Sequence, residues 1–414
     1  MKLKSFFIKW ILIGLALRLL LMPFTVHSDM TALDLGGLVV SQKAGILNFY
    51  DYLPSLGNSH PWVQMYGAGL FNYPPLAYLT PGLFMTVLSP FYNPTINNVF
   101  IIGMDKLYQT TDLFSLLFLL KLPYLLFDFL LAFLMFKIFK EKGPLAFKLW
   151  MLNPLTLYAT FAMGQFDLIP TLTVVAALFF ARKNKNVLAV CLLGIGGAYK
   201  MFPLLFLPIF ALVLGRDFWR KIWLFLLGLG SYLVIIAPYI LFSPGYRQSA
   251  FLANQTEKMF YMKLPVSGAE YLPVFVIGYL SLIFFALIKA KQKDILWKLG
   301  LALMLLFFSV THYHPQWFLW IMPFLVWVWV TYGSKFRFHL IILFSCWLLI
   351  TLFFENSLSF GLLAPVFPNL TKIGSLTDWI KPYYDVFLIK SLIRSLFAVT
   401  SLFLIFPLLS ERKD

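Results

Sequence analysis

The chain has 414 residues, of which 61% are hydrophobic and only 12% are charged. Soluble domains have roughly a quarter of their residues charged, so this composition excludes a soluble globular protein and indicates an integral membrane protein. The net charge of +16 does not indicate a nucleic-acid partner, because the Lys and Arg residues form short clusters between apolar stretches, as in membrane orientation signals.

Hydrophobic stretches long enough to cross a bilayer as helices recur along the chain. A transmembrane barrel would instead alternate apolar and polar residues, so we predict an all-α polytopic membrane protein. We expect about twelve transmembrane helices in a single domain over residues 1–414, without a soluble domain. The predicted spans are 6–24, 112–138, 145–162, 165–182, 187–200, 201–215, 221–242, 271–289, 295–311, 316–333, 338–354 and 386–409.

The distribution of basic residues predicts the orientation of these spans. Lys/Arg clusters follow the spans that end near residues 138, 182, 215, 289 and 333. The positive-inside rule places these clusters and both termini in the cytoplasm. This orientation requires residues 74–90, which contain Pro81, to form a helix along the outer face and not a span. Three outer segments then remain, at 25–111, 243–270 and 355–385.

The first outer segment, residues 25–111, is predicted to form amphipathic juxtamembrane helices and not a flexible connector. Asp29 follows the first span directly, so its carboxylate would lie at the water boundary, where it can act as general base on a lipid-borne substrate. The alternative is that Asp29 only caps a helix. Asp34 is the second candidate base, and Tyr73 offers a ring face for stacking on a sugar.

Five further candidate side chains lie at or near the outer ends of later spans. Gln165 and Asp167 suit sugar hydroxyls, although Asp167 could instead cap the span that follows it. Lys200 lies between two short spans and is the first candidate to contact a lipid phosphate. Lys390 and Arg394 share one face of the last span at i, i+4 and are candidates for the same contact.

The outer loop at 311–320 contains His312, His314 and Gln316. Histidine can donate a hydrogen bond to a phosphate and can carry a proton, and both functions assist the departure of a phosphate leaving group. The spacing of the two histidines also resembles half a metal site, but no further ligands with matching spacing follow. An interfacial aromatic belt with two solvated histidines is the other alternative.

Together these motifs resemble the glycosyltransferase C superfamily, whose multi-span members use polyprenyl-phosphate sugars. The nearest resemblance is to bacterial family 87 and GPI-type mannosyltransferases. The motifs are His27-Ser28-Asp29, Phe71-Asn72-Tyr73-Pro74-Pro75-Leu76, Lys121-Leu122-Pro123 with Asp128, Asn153-Pro154, Gly164-Gln165-Phe166-Asp167, Lys200-Met201-Phe202-Pro203 and His314-Pro315-Gln316-Trp317-Phe318-Leu319-Trp320. The resemblance implies that Asp29 is the catalytic base, that His312 or His314 faces the active site, and that the chain lies in a prokaryotic plasma membrane.

We therefore predict an inverting glycosyltransferase with its active site on the outer face. It would move a hexose, with mannose favoured, from polyprenyl phosphate to a hydroxyl of a glycolipid or glycan acceptor. No paired acid flanks Asp29, and a glycosyl phosphate is already activated, so no metal or other cofactor is predicted. A flippase or transporter of lipid-linked sugars is the alternative, although the polar motifs cluster at the outer face and no inverted repeat is evident.

Overall fold

The structure, a computed structural model, describes residues 2–251, 254–289 and 294–411. These residues form a predominantly helical protein. Five helical stretches among them are long and apolar enough to cross a membrane: Lys4–Phe24, Thr111–Ala162, Phe218–Phe242, Pro315–Leu352 and Val386–Ser410. Shorter apolar helices of 10–17 residues accompany them. The predicted all-helical membrane architecture therefore holds in outline, while the count of twelve spans stays a prediction.

The secondary structure follows in chain order. The α-helices are α1 (Lys2–Phe24), α2 (Asp29–Leu38), α3 (Gly45–Ser55), α4 (Pro61–Tyr66), α5 (Leu76–Leu88), α6 (Pro94–Gly103), α7 (Thr111–Phe139), α8 (Gly143–Met151), α9 (Pro154–Thr156), α10 (Leu168–Arg182), α11 (Asn186–Gly197), α12 (Leu207–Leu214), α13 (Phe218–Phe242), α14 (Pro244–Tyr246), α15 (Val274–Ile288), α16 (Ile295–Val310), α17 (Met322–Tyr332), α18 (Arg337–Leu352), α19 (Leu376–Ile380) and α20 (Val386–Ser410). The strands are β1 (Lys263–Ser267) and β2 (Glu270–Pro273).

The long helices present large apolar side chains outward. Leu20 on α1, Val234 on α13 and Phe403 on α20 are each more than half exposed. Apolar patches of this kind are rare on soluble monomers and mark surfaces that another apolar phase covers. Lipid covers them in an integral membrane protein.

Two buried cations of the helical bundle, Arg18 and Lys121, hold the end of α1 in place. Arg18 and Asp128 are both fully buried and form an ion pair of 2.5 Å between α1 and α7. The Lys121 ammonium donates to the carbonyl oxygens of Met22 and Thr25, at the end of α1. Buried charges require such partners. The start of the first outer segment is therefore anchored just before α2.

The first outer segment folds into α2 to α6, in agreement with the helices predicted there. Helix α5 covers the stretch predicted to lie outside the bilayer and packs against α2. Glycines allow this close approach, because a Cβ on Gly36 would lie 2.5 Å from the Tyr78 ring and one on Gly82 would lie 2.6 Å from Val40. The packing of α5 thus fixes the position of α2.

The second outer segment contains the two strands, which the all-helical prediction did not include. They form an antiparallel hairpin with exposed side chains. A 3-10 helix, Asn254–Phe260, precedes the hairpin, and α15 begins directly after β2. The helix in the predicted span 271–289 therefore begins at Val274, three residues later than predicted, because 271–273 are still part of the strand.

The three predicted outer segments contact one another at one end of the bundle. The hydroxyl of Ser249 donates to the carbonyl of Phe71 at 2.9 Å, which joins the first segment to the second. The backbone N–H of Gln109 donates to the carbonyl of Pro365 at 2.8 Å, which joins the first to the third. These contacts place the predicted outer segments at a common end.

Predicted cytoplasmic clusters meet at the other end. Lys142 donates to the carbonyl of Val330 at 3.1 Å, and Lys298 pairs with Glu411 at 2.9 Å. Some cluster residues lie outside the described ranges, namely Lys291, Lys293, Arg412 and Lys413. The described members agree with a segregation of basic residues to one end.

Candidate functional site

A polar cleft of about 770 Å³ opens at the end where the outer segments meet. Its polar lining comes from Asp29, Asn72, Tyr73, Gln165, His314 and Gln316. These side chains come from four distant parts of the chain: the start of α2, the turn before α5, the loop before α10 and the loop after α16. The fold thus gathers five of the eleven predicted site residues in this cleft, namely Asp29, Tyr73, Gln165, His314 and Gln316.

Asp29 is the first residue of α2, and about half of its side chain is exposed to the cleft. Its Oδ2 accepts a hydrogen bond of 2.9 Å from the Gln165 amide and lies 3.5 Å from Nδ1 of His27. Burial alone would raise the pKa of Asp29, but His27, Gln165 and, more weakly, His314 stabilise the ionised form and hold the pKa below its usual value. Asp29 is therefore a carboxylate at neutral pH, as a general base must be.

Gln165 reaches Asp29 because the helix predicted over 145–162 breaks. Helix α8 ends at Met151, and the side chain of Asn153 then caps α9 by accepting from the backbone N–H of Leu155. A wide helical turn follows over Leu157–Ala162. Gly164 then adopts a φ of +85°, where a Cβ would collide with the sulfur of Met30. A left-handed conformation of this kind favours glycine. The turn aims Gln165 at the cleft.

Of the two histidines, His314 lines the cleft and His312 is exposed beside it. Their ring centroids lie 5.9 Å apart, and the His314 ring packs 5.4 Å from that of Trp317. Burial, helped by the nearby charge of Lys258, lowers the pKa of His314 to about 4. Its imidazole is therefore neutral at neutral pH and can donate one N–H to a substrate.

Gln316 follows His314 and is buried against the cleft. Its Oε1 has no hydrogen-bond partner among the described residues. Buried polar atoms are nearly always satisfied, so this oxygen is suited to a donor that a ligand brings. A sugar hydroxyl is such a donor.

Asp167 and Lys200 form a buried ion pair, with 2.8 Å between Oδ1 and Nζ. The same oxygen accepts a 2.6 Å hydrogen bond from the indole N–H of Trp320. Asp167 is fully buried and does not line the cleft, in contrast to its predicted contact with sugar hydroxyls. Its role in the structure is to neutralise and orient Lys200. The Lys200 ammonium also lies 5.1–5.4 Å from the centroids of four rings, those of Tyr73, Phe166, Trp317 and Trp320.

An apolar groove of about 880 Å³ adjoins the polar cleft. Lys200 lies in its lining with apolar side chains, among them Met201, Leu204, Leu205, Met259, Phe307 and Trp320. The groove and the cleft share Asn72, Tyr73 and Trp317, so the two spaces are contiguous. Lys200 thus provides a positive charge where the apolar groove meets the polar cleft.

Three predicted residues lie elsewhere. Asp34, five residues after Asp29 on α2, faces a separate apolar pocket of about 570 Å³, where burial raises its pKa well above the usual value. Arg394 donates to the carbonyl of Thr311 at 3.0 Å, and Lys390 lies near the rings of Phe353, directly after α18, and Phe387 on α20. Neither cation lines the cleft or the groove.

Sequence reasoning had not assigned roles to three residues that form the site. Asn72 and Trp317 lie within recognised motifs, and both line the cleft and the groove. Lys258 lies in the second outer segment, where no periodic pattern distinguishes it from other exposed lysines. The described residues contain no group of three or more His, Cys, Asp or Glu arranged to hold a metal ion.

The model of glycosyltransferase family 87 matches residues 71–310, more than half of the chain. The matched region includes Tyr73, Gln165 and Lys200, whereas Asp29 precedes it and His314 follows it. Searches of curated proteins and of solved structures gave no match.

Proposed function

Since the chain belongs to glycosyltransferase family 87, we propose that this membrane glycosyltransferase moves a hexose, with mannose as first candidate, from polyprenyl phosphate to an acceptor hydroxyl. The transfer takes place at the outer leaflet and inverts the configuration of the anomeric carbon. The acceptor is a glycolipid or a glycan.

The proposal rests on one observation, which is that the polar cleft joins the apolar groove. A polyprenyl-phosphate sugar has an apolar chain, an anionic phosphate and a polar sugar in that order. The groove, Lys200 and the cleft with Asp29 follow the same order in space. Ligand sites of this type combine an apolar wall with a few directed polar groups.

The chemistry requires a base and an electrostatic partner for the leaving group. Asp29 takes the proton of the acceptor hydroxyl as its oxygen attacks the anomeric carbon. The bond from that carbon to the phosphate oxygen breaks on the opposite side, and the lipid phosphate leaves with the electron pair. Lys200 stabilises the charge on the departing phosphate, and neutral His314 donates a hydrogen bond to it. The donor is already activated, so we propose no metal cofactor.

The substitution Asp29→Asn tests the base directly. The purified full-length protein, with radiolabelled polyprenyl-phosphate mannose and an extracted glycolipid acceptor, should lose about 10³-fold in turnover, in the range expected for general base catalysis. Donor affinity should stay within about threefold, because the phosphate site is untouched. Asp34→Asn is the matched control on the same helix and should retain turnover.

Two results would contradict the proposal. Undiminished turnover of Asp29→Asn would remove Asp29 from the chemistry. A wild-type protein that forms no product from a panel of polyprenyl-phosphate hexoses, but moves them across reconstituted vesicles, would be a transporter.

A further inference from the structure

Lys258 approaches the junction of cleft and groove from the second outer segment. It lies on the 3-10 helix Asn254–Phe260, and its ammonium is 5.1 Å from the centroid of the Trp317 ring. The Lys200 ammonium lies at the same distance from that ring. The next residue, Met259, lines the apolar groove. The helix therefore presents an apolar side chain to the groove and a cation to its polar mouth.

The charges around Trp317 are unbalanced. Lys200 has Asp167 as a counter-ion, but no described acidic residue forms an ion pair with Lys258. Burial and the charge of Lys200 both lower the pKa of Lys258, so the two ammonium groups repel each other there. An anion between them would remove that repulsion and gain two charge-assisted contacts.

We propose that Lys258 is a phosphate-binding residue, which together with Lys200 clamps the phosphate of a prenyl phosphate beside Trp317. This inference rests on the proposed function and adds the second outer segment to the active site. The anion is a lipid phosphate and not free phosphate, because the space that Met259 and Lys200 enclose continues into the apolar groove. A chain of isoprene units would fill the apolar groove, whereas inorganic phosphate would leave the groove empty.

Binding of farnesyl phosphate to the full-length protein in detergent tests the clamp, measured by isothermal titration calorimetry. Farnesol serves as the uncharged probe and inorganic phosphate as the chain-free probe. Lys258→Gln should weaken farnesyl phosphate binding about tenfold and leave farnesol binding unchanged, since only the charge-assisted contact is lost. Lys258→Arg keeps the charge and should restore most of the affinity.

Lys263→Gln is the matched control, because Lys263 lies in the same segment on the exposed hairpin and stacks on Tyr271 instead. It should bind all three probes like the wild type. A Lys258→Gln protein that binds farnesyl phosphate as the wild type does would overturn the clamp and leave the proposed function standing. A wild-type protein that does not prefer farnesyl phosphate to farnesol would overturn both. Inorganic phosphate binding as tightly as farnesyl phosphate would overturn the lipid assignment.

Discussion

The two acids of α2 differ in protonation because of their neighbours. Burial raises the pKa of Asp29, yet His27, Gln165 and His314 outweigh it and keep the group ionised. Burial also raises the pKa of Asp34, and there no cation opposes it. Five positions along an α-helix turn a side chain by about 140°, so the two acids face different spaces. Only Asp29 combines an ionised carboxylate with access to the polar cleft.

We predict that Gln165→Leu moves the acidic limb of the pH profile of kcat/KM to higher pH. The Gln165 amide stabilises the ionised form of Asp29, so its loss raises the pKa of the base, and protonation then stops the reaction at a higher pH. The profile is measured with saturating donor and limiting acceptor across the acidic range.

Gln316→Leu is the control for this shift, because Gln316 lines the same cleft without a hydrogen bond to Asp29. It should lower kcat/KM without moving the limb. An unchanged limb in Gln165→Leu would show that a group other than Asp29 titrates in that limb.

Residue types and motif order were enough to predict several members of the cleft, among them Asp29, Tyr73 and His314. The preference for His314 over His312 depends on how the loop after α16 packs on Trp317, which no sequence period encodes. The sequence left two roles open for Asp167, a contact with a sugar and the capping of a helix. In the structure Asp167 pairs with Lys200, which lies 33 residues further along the chain, and local sequence patterns do not reveal such a contact.

At the scale of the helix, α7 and α20 begin within one residue of their predicted starts, whereas α13 begins three residues before its predicted start. Thr110, Asp217 and Asp385 each accept a hydrogen bond at the start of a long helix, namely α7, α13 and α20. Boundaries were less well predicted in 201–215, where two prolines divide the stretch into a 3-10 segment and the short α12. Proline removes a backbone donor, so the hydrogen-bonding pattern changes although the hydrophobicity does not.

The contact between α2 and α5 leads to a prediction about catalysis at a distance. Gly82→Ala would place a Cβ 2.6–2.8 Å from Val40, in the helical turn directly after α2, so α5 must move away from α2 and that turn. Overpacking of this kind costs about 1–3 kcal/mol. Since α2 carries Asp29 and α5 carries Tyr78, we expect kcat/KM to fall by roughly tenfold through misplacement of the base.

Steady-state kinetics and thermal unfolding in detergent check this prediction together. Gly230→Ala is the control, because a Cβ on Gly230 of α13 meets no atom within 4 Å. It should leave kcat/KM unchanged and should not lower the temperature of unfolding. Wild-type kinetics in Gly82→Ala would mean that the position of α2 does not depend on α5.

At the scale of the whole molecule, the polar site and the basic clusters occupy opposite ends of one bundle. The cleft lies where the outer segments meet, and the pair Lys298–Glu411 lies among the basic clusters at the other end. Counting charges along the sequence predicts the same separation, because membrane insertion sorts Lys and Arg by side, and the orientation in the membrane stays a prediction. Two short spans were predicted on either side of Lys200, and the short helices α11 and α12 lie there, with Lys200 in the turn between them at the apolar groove.

The same separation predicts which residues are accessible from outside the cell. In a background with Cys191 and Cys346 replaced by Ala, Lys106→Cys introduces an exposed thiol in the first outer segment, and Lys183→Cys introduces one in the basic cluster after α10. The positive-inside rule places Lys183 in the cytoplasm and hence the end with Asp29 outside. A membrane-impermeant maleimide added to intact cells should label Lys106→Cys alone, and Lys183→Cys should react only after permeabilisation. A permeant maleimide should label both and so control for thiol reactivity. The reverse pattern would place the cleft on the cytoplasmic side and would require a donor presented on the inner leaflet.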